Sequence, residues 1–218
     1  MTHFTPLTEA EIAALRLERL ARARDDRAIN ENAPPIAHVE DVVAPAGTGV
    51  RCRLYLPVRH RSLPLLIYAH GGGWAFGSLD SHDRLLRQLA ISCEIAVLSV
   101  DYRLLNEPRG VFLPDAVSDC LAAARWLITQ TAECFQTDHL FLVGESAGGH
   151  LAALTALDLR RTGQIDALLG CVFVYGAFDL TGTPSVRNAG PDTLLLNGPT
   201  MAADLARLTP GLDEDRRK

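Results

Sequence analysis

The chain has 218 residues, 48% of them hydrophobic and 22% charged, with a net charge of −5 and a pI of about 5.8. That is enough apolar chain for one domain with its own core, and the mildly acidic balance argues against nucleic acid as a partner, since binding its backbone needs a basic face. No apolar run approaches the ~20 residues of a membrane span, and Met1-Thr2-His3-Phe4-Thr5-Pro6 lacks the basic start and apolar core of a signal peptide, so the cytoplasm is the expected compartment.

In chain order, Thr8-Glu9-Ala10-Glu11 forms a capping box that predicts a helix to about Ile29. Ile12, Leu15, Leu20 and Ala23 are its loosely spaced apolar residues, and Asn32-Ala33-Pro34-Pro35 stops it. From Ile36 to Leu56 the pattern alternates around Ala46-Gly47-Thr48-Gly49, which predicts a β-hairpin with one wetted face. Leu65 to Ala69 is apolar on both faces and predicts a central parallel strand. A helix over Ser81–Ser92 and a strand over Ile95–Val100 follow. Leu113–Gln130 predicts an amphipathic helix with Val117, Cys120, Leu121, Ala124, Leu127 and Ile128 on one side. A strand at Leu140–Val143, a helix at His150–Arg161 and a strand at Cys171–Tyr175 come next. Gly176 to Lys218 is rich in Gly, Pro and Asn, with one helix over Thr200–Leu208 and no strand. A hairpin and then strands alternating with helices predict a mixed, mostly parallel α/β sheet.

Cys52, Cys93, Cys120, Cys134 and Cys171 form no C-x-x-C pair and read as buried free thiols. Zinc would need paired Cys/His spacing, and neither a Walker loop nor H-E-x-x-H occurs, so neither metal nor cofactor is expected.

The chemistry is concentrated in two stretches. Gly144-Glu145-Ser146-Ala147-Gly148-Gly149 lies between a buried strand and a helix. A serine at the apex of so sharp a turn is the nucleophile elbow G-x-S-x-G. A β-carbon at Gly144 or Gly148 would strike neighbouring backbone there. The Ser146 hydroxyl stands clear of the sheet at the positive end of the helix dipole. His70-Gly71-Gly72-Gly73-Trp74 follows the Leu65–Ala69 strand. Adjacent glycines expose backbone N–H groups with no side chain in the way, donors able to stabilise a developing oxyanion.

HGGGW, Val100-Asp101-Tyr102-Arg103-Leu104, GESAGG and Phe178-Asp179-Leu180-Thr181-Gly182-Thr183-Pro184-Ser185 together resemble the hormone-sensitive-lipase-like branch of the α/β-hydrolases, which includes bacterial acetyl-esterase-like carboxylesterases. The resemblance runs from the first helix to the last residue and covers the front part of the family's domain. It implies an α/β-hydrolase fold with a mostly parallel central sheet, an N-terminal hairpin and a helical cap, lacking the last two strands. It divides the chain into an N-terminal cap helix region at 1–35, a hydrolase core of six strands at 36–177 and a cap segment at 178–218. It further implies a serine carboxylesterase acting on small, short-chain acyl esters through an acyl-enzyme. Ser146 is then the nucleophile, and the amides of Gly72, Gly73 and Ala147 form the oxyanion hole. His70 shapes the glycine loop, with Gly71, Glu145, Gly144 and Gly148 supporting the site.

A serine hydroxyl needs a histidine base and a carboxylate to orient that base. The family order is Ser, then acid, then His, but His150 is the one histidine after Ser146. Its position four residues into the helix predicts a packing role. His38, His60, His82 and His139 precede the elbow and read as surface or structural. Asp179 follows the sixth strand with no histidine to orient, and Asp101 with Arg103 reads as a buried ion pair or hydrogen-bond set. The expectation is a chain that carries nucleophile and oxyanion hole, lacks base and acid, and is inactive alone. Its sixth strand would be a bare apolar edge, prone to self-association or to pairing with a complementing C-terminal fragment. The expected partner is a small-molecule ester, with no nucleic acid and no membrane. A hydrolase-like ligand-binding protein without turnover, and amidase or peptidase chemistry, stay open.

Overall fold

The computed structural model describes residues 28–47, 49–59, 62–105, 109–130, 137–190 and 208–209, together with 10, 17, 25 and 26. The elements in order are β1 (His38–Ala44), β2 (Val50–Leu56), β3 (Leu65–Ala69), α1 (Asp83–Cys93), β4 (Ala96–Val100), α2 (Leu113–Gln130), β5 (Leu140–Glu145), α3 (Ala147–Arg161), β6 (Gly170–Val174) and α4 (Pro184–Arg187). The six strands form one sheet in the order β1-β2-β4-β3-β5-β6. β1 pairs with β2 and β2 with β4 antiparallel, while β4, β3, β5 and β6 run parallel. This is the mixed, mostly parallel sheet that the hairpin and the fully buried β3 predict.

The strand order fixes where a site can form. From β3 the chain crosses to β4 on one side, then returns to β5 on the other. The loops leaving β3 and β5 therefore open a crevice at the carboxyl ends of neighbouring strands, where open α/β sheets bind ligands. The register places Ala69 beside Gly144, so the loop after Ala69 and the turn after Gly144 start side by side.

Both faces of the sheet are covered. On one, Ile67, Leu98 and Leu142 pack with Ala116, Cys120, Ala123, Ala124 and Leu127 of α2 and Leu151 and Leu159 of α3. On the other, Leu66, Tyr68, Val97 and Val143 pack with Leu86 and Ala90 of α1. Alternate residues of β3 thus enter opposite cores, the physical reason this run lacks polar positions. The buried stripe of α2 centres on Ala116, Cys120, Ala123 and Leu127, with Val117, Leu121 and Ile128 at its half-buried margin.

Several expectations are corrected. Asp101 and Arg103 do not pair with each other. The β2–β4 register carries Arg51 alongside Asp101, and its guanidinium reaches the Asp101 carboxylate at 2.8 Å. Arg103 turns instead to α2, bonding Asp119 at 2.8 Å and Asp115 at 3.0 Å. Cys52 and Cys120 are buried, but Cys93 ends α1 on its solvent side and Cys171 lies on the uncovered β6, so both are exposed. Cys134 lies outside the described residues. α3 begins at Ala147 rather than His150, because the elbow turns directly into the helix. A 3₁₀ turn at Ile165–Ala167 and the short α4 were not anticipated from the sequence.

Of the expected N-terminal helix, residues 10, 17, 25, 26 and 28–30 are helical, and Thr8 and Glu11, the two side chains of the capping box, lie outside the described residues. The Asn30 side-chain amide donates to the Asp80 carbonyl at 2.6 Å, tying the end of this segment to the loop before α1. Most of the expected Thr200–Leu208 helix also lies outside the described residues, with Leu208 itself helical. No helix among the described residues is long and apolar enough to cross a membrane.

Candidate active site

Ser146 joins β5 to α3 with φ +53° and ψ −120°, outside the regions open to ordinary residues. The conformation costs on the order of 1–3 kcal/mol and persists only because its surroundings over-determine it. Its amide donates to the Val174 carbonyl at 2.9 Å, and its carbonyl accepts from the His150 amide at 3.2 Å. A β-carbon on Gly148 would run into the Ala69 and His70 carbonyls, and one on Gly144 into the Gly148 carbonyl. Backbone atoms cannot yield as side-chain tips can, so the elbow presses on the glycine loop and requires these glycines.

The glycine loop leaves β3 through His70. Gly72 has φ +130°, and a β-carbon there would meet the Phe76 carbonyl. Its own carbonyl accepts from the amides of Ala75 at 3.2 Å and Phe76 at 2.9 Å, closing the turn. Among the described residues, the amides of Gly72 and Gly73 have no acceptor. Trp74 in this loop and Tyr175 just past β6 also take positive φ, +59° and +39°. Three non-glycine residues held in strained backbone, Trp74, Ser146 and Tyr175, thus gather at one end of the sheet. Backbone strain clusters in this way at functional sites.

An open cleft of about 310 Å³ lies between the two stretches, and Ser146, Gly71, Gly72, Phe76, His82 and Glu145 line it. Asp25, Asp26 and Tyr175 also face it. Gly73 and Ala147 are not among its lining residues; Ala147 begins α3, where its amide stands at the open N-terminal end of the helix.

Glu145, next to the serine, is the most heavily bonded carboxylate here. One oxygen accepts from the Gly71 amide and from His82 Nε2 at 2.9 Å, and the other from the Tyr68 hydroxyl at 2.5 Å. Burial alone would raise its pKa, but the bonds from His82, Tyr68 and Gly71 outweigh that and hold it below the usual carboxylate value. Burial also raises the Tyr68 phenol, which therefore stays a donor.

The histidines divide by what holds them. His70 is fully buried; its Nδ1 lies 2.9 Å from the Gly71 carbonyl and 3.2 Å from the Tyr102 hydroxyl. That hydroxyl in turn donates to the His70 carbonyl at 2.7 Å. Burial pushes the His70 ring down to about 4, so it is a neutral Nδ1–H donor at pH 7. His70 stacks between Tyr102, 4.3 Å away, and His82, 5.3 Å away. His150 accepts from the Trp74 indole N–H at 3.2 Å and is likewise pushed to about 4 by burial. It is a packing residue that locks Trp74 of the glycine loop onto α3.

His82 was read from the sequence as surface or structural, and it lines the cleft. Its contact with Glu145 spans 63 residues of sequence, and its position just before α1 carries no signal of that convergence. Asp179 is exposed, and its carboxylate accepts from the Thr181 amide at 2.8 Å and from the Thr181 hydroxyl at 2.5 Å, an Asx turn rather than a triad acid.

Residues 66–218 match a family described as having the alpha/beta hydrolase fold. The chain is 33% identical over 214 residues to the carboxylesterase NlhH of Mycobacterium tuberculosis, covering 96% of this chain and 64% of that protein. It is 34% identical over 178 residues to an arylesterase of Saccharolobus solfataricus, covering 79% of this chain and 54% of that one. Among solved structures, a hyperthermophilic esterase from the archaeon Pyrobaculum calidifontis superposes with a TM-score of 0.81 at 31% identity, covering 98% of this chain and 73% of that one. EstE1, a thermophilic carboxylesterase cloned from a metagenomic library, does so at 0.78 and 33%, covering 88% of this chain and 66% of that one. The chain therefore spans less than two thirds of the length of these curated relatives.

Proposed function

The chain belongs to the α/β-hydrolase fold family, and from that premise we propose that it carries the nucleophile and oxyanion hole of a serine carboxylesterase for small acyl esters. The observation that carries this reading is Ser146, on a strained turn, lining one cleft with Gly72, whose amide, like that of Gly73, has no acceptor among the described residues.

In the reaction, Ser146 Oγ attacks the acyl carbon as its proton passes to a general base. The carbonyl electron pair moves onto oxygen, where the amides of Gly72, Gly73 and Ala147 receive it. The ester C–O bond breaks, the alcohol departs with that proton, and water hydrolyses the acyl-enzyme to the carboxylic acid. His70, Gly71, Glu145, Gly144 and Gly148 hold the geometry.

Among the described residues no histidine is hydrogen-bonded to the Ser146 hydroxyl. Among the described histidines, His150 is spent on Trp74, His70 is buried within the loop, and His82 lies between Ser81 and Glu145. We assign base and acid to the part of the relatives' length that this chain does not span. Loss of triad members lowers serine-hydrolase rates by up to about a millionfold, so this chain alone is expected to turn over esters negligibly.

The same observation favours a second reading, a ligand-binding protein that keeps the cleft without turnover. Two assays separate them, both with Ser146→Ala as control. Slow but Ser146-dependent fluorophosphonate labelling, with trace hydrolysis of p-nitrophenyl acetate, supports the esterase reading. An inert Ser146 supports the binding reading. Robust Ser146-dependent turnover would mean that a base is already present.

β6 supports a proposal about assembly. It pairs only with β5 among the described residues, and Val172 and Tyr175 are 52% and 76% exposed. We propose that this edge takes further strands, from a complementing segment or a second copy of the chain. A strictly monomeric chain by light scattering at high concentration, with no binding of a peptide from the uncovered part of a relative, refutes it.

A further inference from the structure

We infer that His82 is the positioning residue of the glycine loop, acting through Glu145 on the Gly71 amide. The inference rests on the reading of the Gly72 and Gly73 amides as oxyanion donors.

Those amides are useful only if the loop holds one orientation, because donor strength depends steeply on direction. A run of glycines resists rotation less than any other sequence. The His70–Gly71 peptide, one unit before the Gly72 amide, is anchored by the bond from its N–H to Glu145. A glutamate carboxylate is itself free to turn about its last torsion. Here Tyr68 of β3 occupies one oxygen, and His82, at the N-cap of α1, shares the other with Gly71. Three elements thus converge on a single carboxylate, and His82 brings α1 into the set.

His82 is held in its turn. Its Nδ1 lies 2.8 Å from Ser81 Oγ, and its ring stacks on His70 at 5.3 Å. The Ser81 hydroxyl donates to the Ser78 carbonyl at 2.9 Å and accepts the Ser78 amide at 2.8 Å. Ser78 Oγ reciprocates by accepting the Ser81 amide at 3.1 Å.

The Glu145 carboxylate can only accept, so His82 Nε2 carries the proton of that bond. Nδ1 lies against Ser81 Oγ, so both ring nitrogens have partners other than Ser146, and the arrangement makes His82 a support for the loop rather than the general base.

The test is amide hydrogen exchange at Gly71 in the full chain, followed by NMR. His82→Ala is expected to speed exchange by about tenfold or more. His82→Gln, which keeps an N–H donor, is expected to recover a large part of the protection, and Ser146→Ala to leave it unchanged. Fluorophosphonate labelling of Ser146 should slow in His82→Ala with little change in the reagent concentration giving half-maximal rate. If the wild-type serine does not label, the esterase reading fails while the exchange result still decides the role of His82. Gly71 protection within about twofold of wild type in folded His82→Ala, or His82→Gln as fast as His82→Ala, overturns the inference. Should His82→Ala not fold, His82→Gln and Glu145→Gln carry the same readout: exchange in His82→Gln slower than in Glu145→Gln supports it, and equal rates overturn it.

Discussion

The carboxyl end of β5 and the outer edge of β6 are neighbours in one sheet, yet they are finished in opposite ways. At the first, Glu145 is matched by donors from β3, the glycine loop and the N-cap of α1, and Ser146 is held in a conformation it would not choose alone. At the second, Val172, Phe173 and Val174 remain 52%, 37% and 38% exposed, with no strand beyond them among the described residues. The polar network that orients the elbow is built from this chain's own residues. Beyond β6, nothing among the described residues closes the sheet. The geometry of the nucleophile and the completion of the fold should therefore respond to different substitutions.

The largest expected effect is at the elbow. Gly148→Ala sets a β-carbon against the Ala69 and His70 carbonyls, and a loss of about 3 kcal/mol is expected from the forced backbone shift. Urea unfolding reads this as a lower midpoint. An unchanged midpoint would mean that the elbow and glycine loop are not in contact, and the comparison would break.

Glu145→Gln is expected to cost about 2 kcal/mol, because bonds to a buried charge become neutral ones. It also carries a pH signature. The folded Glu145 carboxyl titrates below its reference value of 4.5, so the unfolded chain takes up the proton first on acidification. Its contribution to stability is full above the reference value and is lost as pH falls through the lowered folded-state value. Unfolding midpoints measured from pH 7 downward should show a shallower acid-side decline in Glu145→Gln than in wild type. Parallel declines would remove the carboxylate from the network.

Val172→Lys should have the smallest effect on stability, within about 0.5 kcal/mol, since the side chain is already half in water. It should nonetheless reduce self-association, because charge on an edge strand opposes further pairing. Sedimentation velocity of the two chains compares them directly. Association unaffected by the lysine would move the contact away from β6 and blunt the contrast between the two regions.

Much of this was legible in advance. The hairpin, the buried β3 and β4, the amphipathic α2 and the strand–serine–helix turn each rest on spacing within about twenty residues, where local periodicity suffices. The glycine loop was legible for the same reason. The partners of Asp101, Arg103 and His82 were not. Asp101 lies beside Arg51 because of the β2–β4 register, and Arg103 points at Asp119 because α2 packs below it. His82 was passed over because nothing near it in the chain announces Glu145. The exposed Cys171 depends on what covers β6, which composition does not state.

By itself the sequence determined the order of the six strands and the three long helices among them, the sharp turn under Ser146 and the run of bare amides after β3. These follow from side-chain periodicity and from the absence of a β-carbon, both properties of neighbouring residues. Only the tertiary structure decided that Ala69 stands beside Gly144, that Tyr68, Gly71 and His82 meet on Glu145, and that β6 ends the described sheet. Strand register and helix packing set those meetings, and they bring together residues whose separation along the chain leaves no local trace.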